Sequence, residues 1–210
     1  DADRVGVVDE KGHILWADQL MSIFLPDIIK NGEDILFDVK CSQALEDMIN
    51  HYGGNPIMWK TGHSLIKQKM TEIGCKFGGE MSGHIFFADD YYGYDDAIYV
   101  AARLLELLSK TNKSLSELRS IIPVYYSTPE MRMEAKNDEE KFKITQKAIE
   151  YFTENYDCIT VDGVRIKFDD GWGLVRSSNT QPVIVCRFEA NSIDRRDEIM
   201  NLVLDKLKEF

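Results

Sequence analysis

The pattern of apolar segments changes near residue 121, and this change limits the possible folds more than any other feature of the 210-residue sequence. Before it, strand-like apolar segments alternate with segments of helical spacing, at residues 5–8, 17–30, 35–39, 42–52, 56–59 and 64–73. Such alternation predicts βαβ units and a largely parallel sheet. After it, strand follows strand, at residues 158–161, 164–168, 173–176 and 182–189, between two terminal helices. We therefore predict a mixed, largely parallel α/β domain followed by a smaller α+β domain with an antiparallel sheet, and a boundary within residues 120–127.

Three local expectations for the first half follow from residue type and spacing. Pro26 is expected to kink or split the helix of residues 17–30. Residues 77–87 are expected to form two strands separated by a glycine-rich turn. The helix of residues 95–109 carries apolar side chains at helical spacing, which predicts that they belong to the core: Ala97, Ile98, Ala101, Leu104, Leu105 and Leu108.

The charge and cysteine content exclude several classes of protein. A formal net charge of -11 argues against a protein that binds nucleic acid or an anionic membrane, because both need clustered Lys and Arg. No apolar run approaches the roughly 20 residues that cross a bilayer. The four cysteines are widely spread and form no CxxC pair, which predicts reduced thiols in a cytoplasmic protein.

The first four residues, Asp1-Ala2-Asp3-Arg4, combine two closely spaced carboxylates with a guanidinium. Asp1 and Asp3 can converge on one hard cation such as Mg²⁺, which prefers oxygen ligands. Arg4 adds a planar donor that suits a phosphate oxygen beside the metal. The competing interpretation is a charged terminus without a ligand.

Two further positions follow predicted strands in the first half. Lys60-Thr61-Gly62-His63-Ser64 joins a strand to a helix, and such a helix start exposes N–H groups that favour anions. His63 can donate to a hydroxyl or a phosphate, or transfer a proton. Lys40 also follows a strand, where parallel sheets bind ligands. A plain capped turn at residues 60–64 and a solvated Lys40 remain the alternatives.

The segment Gly79-Glu80-Met81-Ser82-Gly83-His84 places a carboxylate, a hydroxyl and an imidazole between glycines. On an extended segment Glu80 and Ser82 would point the same way, as two adjacent sugar hydroxyls require. The segment therefore predicts a sugar-binding loop, and the alternative is a hairpin turn with polar, solvent-facing side chains.

The segment Arg176-Ser177-Ser178-Asn179-Thr180-Gln181-Pro182 offers a guanidinium, hydroxyls and amides at consecutive positions. Such a loop can surround a phosphate with charged and neutral donors, although it lacks the GxxxxGK pattern of a P-loop. A polar turn between two strands is the alternative.

In this order, the motifs resemble those of the α-D-phosphohexomutase family. Residues 1–4 resemble the end of its DGDxDR metal loop, residues 79–84 its sugar-recognition loop, and residues 176–182 its C-terminal phosphate-binding loop. Residues 168–176 and 186–190 also resemble its last domain, so the resemblance extends over essentially the whole chain. It implies the tail of the family's second domain at residues 1–15, the third domain at 16–122 and the fourth at 123–210.

The resemblance implies a role for each matching residue. Asp1 and Asp3 would bind Mg²⁺, and Arg4, Lys40 and His63 would take part in catalysis. The remaining residues would bind substrate, as ring-hydroxyl ligands on the sugar loop or as ligands of the phosphate that is not transferred: Glu80, Ser82, His84, Arg176, Ser178, Asn179 and Thr180.

The implied reaction interconverts hexose 1-phosphate and hexose 6-phosphate through a phosphoserine and a bisphosphorylated sugar. Met81 resembles the phosphomannomutase/phosphoglucomutase branch, which uses mannose or glucose phosphates, whereas phosphoglucosamine mutases typically have Gln there. A phosphoglucosamine mutase and a non-catalytic sugar-phosphate-binding module stay open. Since the chain starts inside the metal loop, we expect a fragment that lacks the N-terminal domains and catalytic serine of the same protein and is inactive alone.

Overall fold

The computed structural model describes all 210 residues, which divide into two compact units. Unit 1 is Asp1–Pro123 and unit 2 is Val124–Phe210. The assignment of residues 1–15 to a preceding domain stays a prediction. No helix combines the length and the apolar character needed to cross a membrane.

Unit 1 contains a mixed sheet flanked by helices. Its elements are β1 (Val7–Val8), β2 (Ile14–Leu15), α1 (Ala17–Ile28), β3 (Asp34–Asp38), α2 (Gln43–His51), β4 (Asn55–Trp59), α3 (His63–Ile73), β5 (Phe77–Gly79), β6 (Ile85–Phe87), α4 (Ala97–Ser109) and α5 (Leu115–Arg119). The main sheet has the order β4-β3-β5-β6, in which β3 is parallel to β4 and β5 while β6 is antiparallel to β5. This topology confirms the α/β class predicted for the first half.

Successive side chains of a strand point to opposite faces of a sheet. In unit 1, helices cover both of these faces. On one face, Phe77 and Phe87 contact Phe24 of α1, with ring centroids 6.1 and 5.1 Å away. On the other face, Leu36 and Phe86 belong to a buried cluster with residues of α3. The carboxyl ends of β3 and β5 therefore lie at the edge of a sheet that is packed between two layers of helices.

Pro26 does not split α1, which runs unbroken to Ile28. A proline removes the hydrogen bond to the carbonyl four residues earlier and crowds that carbonyl, and here it lies in the last turn of the helix. Beyond it, the N–H of Ile29 still donates to the carbonyl of Leu25 at 2.8 Å. The predicted split is therefore wrong, and the predicted kink stays a prediction.

The predicted core face of α4 is wrong in part. Val100 and Leu104 are buried, but Ile98 is 72% exposed and Leu105 is 68% exposed. The α4 sequence AIYVAARLLELLS is apolar around most of its circumference, so spacing alone does not decide which face turns inward.

Unit 2 is an antiparallel sheet with two helices on one face. Its elements are β7 (Tyr126–Ser127), β8 (Met131–Glu134), α6 (Asp138–Asn155), β9 (Cys158–Ile159), β10 (Val164–Phe168), β11 (Gly171–Ser177), β12 (Val183–Ala190) and α7 (Ile193–Leu207). The strand order is β7-β12-β11-β10-β9, with β8 also paired to β12. Phe152 of α6 and Val203 of α7 share a buried cluster with strand residues such as Ile166. This arrangement confirms the predicted α+β class.

Candidate functional site

The first residues of the chain lie against the 79–84 segment and the start of α4. The N–H of Val5 donates to the carbonyl of Gly83 at 3.2 Å, and the N–H of Ala97 donates to the carbonyl of Ala2 at 2.9 Å. Asp3 lies between two positive or potentially positive groups, with its carboxylate 3.8 Å from Arg4 Nε and 4.0 Å from His84 Nδ1. The structure thus brings Asp3 to the predicted sugar loop.

The 79–84 segment is a tight turn, and the expectation that Glu80 and Ser82 point the same way is wrong. The N–H of Glu80 donates to the carbonyl of His84 at 2.8 Å, and the N–H of Gly83 donates to the backbone carbonyl of Glu80 at 3.0 Å. Gly83 has φ 105°, which an L side chain rarely adopts. Because the chain reverses here, Glu80 is buried at 2% exposure while Ser82 is exposed.

Glu80 connects the 79–84 segment to the start of α3. Its Oε1 accepts a hydrogen bond from the N–H of Gly62 at 2.6 Å, and Gly62 is the N-cap of α3 with φ 139°. Burial, followed by the nearby charge of Asp38, raises the pKa of Glu80 to about 7. Close to neutrality this carboxyl can therefore accept a proton or a hydrogen bond from a hydroxyl.

Asp38, at the end of β3, organises the surrounding loops, although the sequence analysis did not identify it. Its fully buried carboxylate accepts hydrogen bonds from Thr61 Oγ1 at 3.2 Å and the N–H of Met81 at 3.2 Å. Its Oδ2 lies 3.9 Å from Lys40 Nζ. Lys40 is 7% exposed, so the alternative of a solvated lysine is wrong. The available signal was an aspartate two residues before a candidate lysine at a strand end.

Asp95 joins the two predicted site histidines and was also missed. Its Oδ2 lies 2.8 Å from His84 Nδ1 and 3.4 Å from His63 Nδ1, while its Oδ1 accepts from Lys67 Nζ at 2.9 Å. The two imidazoles stack with centroids 5.4 Å apart and an interplanar angle of 17°.

The charge of Asp95 is maintained by these partners. Burial alone would raise the pKa of Asp95, but the hydrogen bonds from Lys67 and His84 lower it overall. For His84, burial is the largest influence and lowers the pKa in spite of the neighbouring carboxylate.

Asp3, His84 and Asp95 form a group whose ligand atoms all lie within 4.8 Å of one another. Asp1, the other predicted metal ligand, is exposed and does not belong to this group. The structure therefore places an imidazole and a further carboxylate near Asp3.

In unit 2, Arg176 lies at the end of β11 and is 4% exposed. Its Nε donates to Asp162 Oδ2 at 2.9 Å, while its Nη2 is buried without a hydrogen-bond partner. Ser178 closes the following turn, since its Oγ accepts from the N–H groups of Thr180 and Gln181 at 3.3 Å. Asn179 and Thr180 are exposed at the tip of this turn.

Lys141, a buried residue of α6, donates hydrogen bonds to the backbone of the same turn. Its Nζ donates to the carbonyls of Ser178 at 2.9 Å and Gln181 at 3.1 Å, and pairs with Asp138 at 2.7 Å. Lys141 falls in a charged stretch of the sequence that carries no motif, and only the fold reveals its role.

Sequence and structure comparisons agree with these two folds. The family described as phosphoglucomutase/phosphomannomutase, alpha/beta/alpha domain III, matches residues 16–125, and the C-terminal domain of the same family matches residues 130–206. The chain therefore belongs to the phosphoglucomutase/phosphomannomutase family.

A phosphomannomutase/phosphoglucomutase from Pseudomonas aeruginosa is 46% identical over 99% of this chain and 45% of its own length. A crystal structure of a phosphoglucomutase/phosphomannomutase family protein from Burkholderia thailandensis is 40% identical, with a TM-score of 0.89 over 99% of this chain and 45% of that one. The chain thus spans about 45% of the length of these relatives.

An N-acetylphosphoglucosamine mutase from Aspergillus fumigatus, in complex with GlcNAc-6P and magnesium, shares the fold at 15% identity and a TM-score of 0.71. This match covers 98% of the present chain and 50% of that one. At this identity the likeness supports the fold alone.

Proposed function

We propose that this chain supplies the sugar-binding and distal phosphate-binding parts of a phosphohexomutase. The enzyme would interconvert hexose 1-phosphates and hexose 6-phosphates of mannose or glucose, through a phosphoserine and a bisphosphorylated sugar. The observation that carries the proposal is the buried guanidinium of Arg176, whose Nη2 has no partner.

A buried donor without an acceptor costs roughly 1–3 kcal/mol. An anion beside the 176–182 loop would remove that cost, and the planar fork of Arg matches the geometry of a phosphate. Ser178, Asn179 and Thr180 would add neutral donors around the same phosphate. This grip would supply remote binding energy that positions the sugar for transfer at its other end.

The loops of unit 1 suit hydroxyl groups better than phosphate. Glu80 offers an acceptor, and Ser82 on the exposed side of the turn offers both a donor and an acceptor. We assign the ring hydroxyls to these two residues. His84 would contact the sugar from the end of the same loop, while Lys40 and His63 would assist the reacting oxygen.

Magnesium fits the first residues in its donor chemistry. Asp1 and Asp3 offer carboxylate oxygens, which Mg²⁺ prefers, and Ala2 between them has φ 59°, so this segment turns rather than extending. When bound, Mg²⁺ would neutralise charge on the phosphoryl group in transfer, and Arg4 would contact the same group.

Binding of mannose 6-phosphate to this chain, followed by calorimetry, tests the proposal. Arg176→Ala should weaken binding by about 10- to 150-fold, the equivalent of ~1.5–3 kcal/mol for hydrogen bonds to a charged group. Arg196→Ala is the matched control, since Arg196 pairs with its neighbour Asp197 on α7 at 2.7 Å. An equal dissociation constant for the wild type and Arg176→Ala would remove this loop from the site.

Turnover by the complete gene product decides between the activities. Conversion of mannose or glucose phosphates supports the proposal, a preference for glucosamine phosphates would favour a phosphoglucosamine mutase, and binding without turnover would indicate a non-catalytic module. The 210 residues alone are expected to bind sugar phosphate without converting it, since they span about 45% of the length of a phosphomannomutase/phosphoglucomutase relative.

A further inference from the structure

Two imidazoles of unit 1 share one carboxylate. The same oxygen, Asp95 Oδ2, faces Nδ1 of both His84 and His63, at 2.8 and 3.4 Å. The side chain of Asp95 is 8% exposed and that of His84 is 12% exposed, whereas that of His63 is 54% exposed. His84 is therefore the imidazole most tightly held by this carboxylate.

The backbone of Asp95 is fixed from both sides. Asp95 forms an antiparallel bridge with Phe86 of β6, which is the strand that directly follows the sugar loop. The next residue, Asp96, is the N-cap of α4 and accepts hydrogen bonds from the N–H groups of Ile98 and Tyr99 at 3.0 Å. A carboxylate anchored to a strand and a helix cannot easily follow the movement of an imidazole, so it determines the position of that ring.

Lys67 holds the other oxygen of the same carboxylate. Its Nζ lies 2.9 Å from Asp95 Oδ1, so each carboxylate oxygen has its own partner and the carboxylate plane is oriented. This ion pair also argues against a metal ion on Asp95, because a bound cation would compete with the ammonium group at close range.

We propose that Asp95 is a positioning residue that fixes the tautomer and the orientation of His84. A carboxylate can only accept a hydrogen bond, so the proton of neutral His84 resides on Nδ1. Nε2 then carries the lone pair and is available to a sugar hydroxyl. Asp95 itself acts through the imidazole and touches no substrate, as the carboxylate of a His-carboxylate pair does elsewhere.

Only the expected effect of Asp95 on turnover rests on the proposed function. The tautomer is a property of the chain alone and can be measured without substrate. Imidazole ¹⁵N shifts of the wild-type chain, recorded at one pH at which His84 is neutral, should show His84 protonated at Nδ1. Protonation at Nε2 in the wild type overturns the proposal and needs no variant that might fail to fold.

Asp95→Asn should raise the fraction of His84 protonated at Nε2, since an amide can present either a donor or an acceptor. Asp89→Asn is the matched control: Asp89 lies in the same loop and pairs with Arg103 at 3.0 Å, away from both imidazoles. Unchanged His84 shifts in folded Asp95→Asn would overturn the proposal.

In the complete gene product, Asp95→Asn should lower kcat by about 10- to 100-fold and leave KM for sugar phosphate nearly unchanged, as is typical of residues that orient a reacting group. An equal loss in Asp89→Asn, or a change in KM alone, would contradict positioning. No turnover by the wild-type gene product would contradict the proposed function instead, and the tautomer measurement would still decide how Asp95 holds His84.

Discussion

Replacing Glu80 with Gln tests how strongly the burial of this carboxyl opposes folding of unit 1. Glu80 is 2% exposed, and its pKa is raised from 4.5 to about 7 by burial and then by the charge of Asp38. The Gly62 N–H and Lys40 act in the opposite direction but do not compensate. Glutamine has nearly the same shape and can still accept the Gly62 hydrogen bond, so the change removes mainly the titration.

The direction of the pH dependence of stability follows from which state, folded or unfolded, holds the proton of Glu80. Between pH 4.5, near the unfolded pKa, and about pH 7, folded Glu80 keeps a proton that the unfolded chain has lost. The contribution of Glu80 to the free energy of unfolding therefore falls as the pH rises through this window. At 1.36 kcal/mol per pKa unit, the whole shift amounts to roughly 3 kcal/mol.

Urea denaturation of the chain at several pH values between about 4.5 and 8 would measure this loss. Glu80→Gln should match the wild type near pH 4.5 and exceed its stability by roughly 3 kcal/mol near pH 8, in the transition assigned to unit 1. Glu72→Gln is the control for the loss of one carboxylate from the same unit, because Glu72 is an exposed glutamate of α3. A wild type more stable than Glu80→Gln near pH 8 would refute the reasoning, because it would mean that the ionised carboxylate is favoured in place.

Three further variants, one of them a double substitution, test the fold. Gly83→Ala should destabilise unit 1 by roughly 1–3 kcal/mol in thermal or urea unfolding, because φ is 105° and the added Cβ would lie 3.2 Å from the carbonyl of Val5; a neutral effect would mean that the turn relaxes freely. Ile166→Ala should cost unit 2 about 2–5 kcal/mol, since Ile166 is fully buried in its core; a loss below ~1 kcal/mol would contradict close packing there. The double change Ile98→Ser and Leu105→Ser should shift stability by at most about 1 kcal/mol, because both side chains are exposed. A larger loss of stability would support the prediction that Ile98 and Leu105 belong to the core.

Periodicity predicted the architecture because each sheet buries its strands in a regular way. Strands buried on both faces produce continuous apolar segments such as Ile35–Phe37, and the connecting helices end at glycines such as Gly74, which has φ 70°. Short elements escaped prediction for the opposite reason. Strand β8, Met131–Glu134, alternates half-buried with exposed residues, and only its pairing with β12 makes it a strand.

The candidate site was predictable where its residues lie in one loop and hidden where contacts are distant in sequence. Asp95 is 11 positions from His84, and Asp38 is 43 positions from Met81, so no local pattern connects them. The orientation of Glu80 was mistaken because a tight turn replaced the assumed extended segment. The informative signal was Gly83, since a positive φ reverses the chain there.

The two units offer different ligand chemistry. Unit 1 concentrates carboxylates, Asp38, Glu80 and Asp95, around Lys40 and Lys67, and such acceptors suit hydroxyl groups. Unit 2 presents a buried guanidinium with a free donor, which suits an anion. If the proposed function holds, a phosphate placed among the carboxylates would meet repulsion, whereas at Arg176 it would satisfy an otherwise costly donor. Within unit 1 the acceptors would therefore favour hydroxyl groups, and within unit 2 the guanidinium of Arg176 would favour a phosphate.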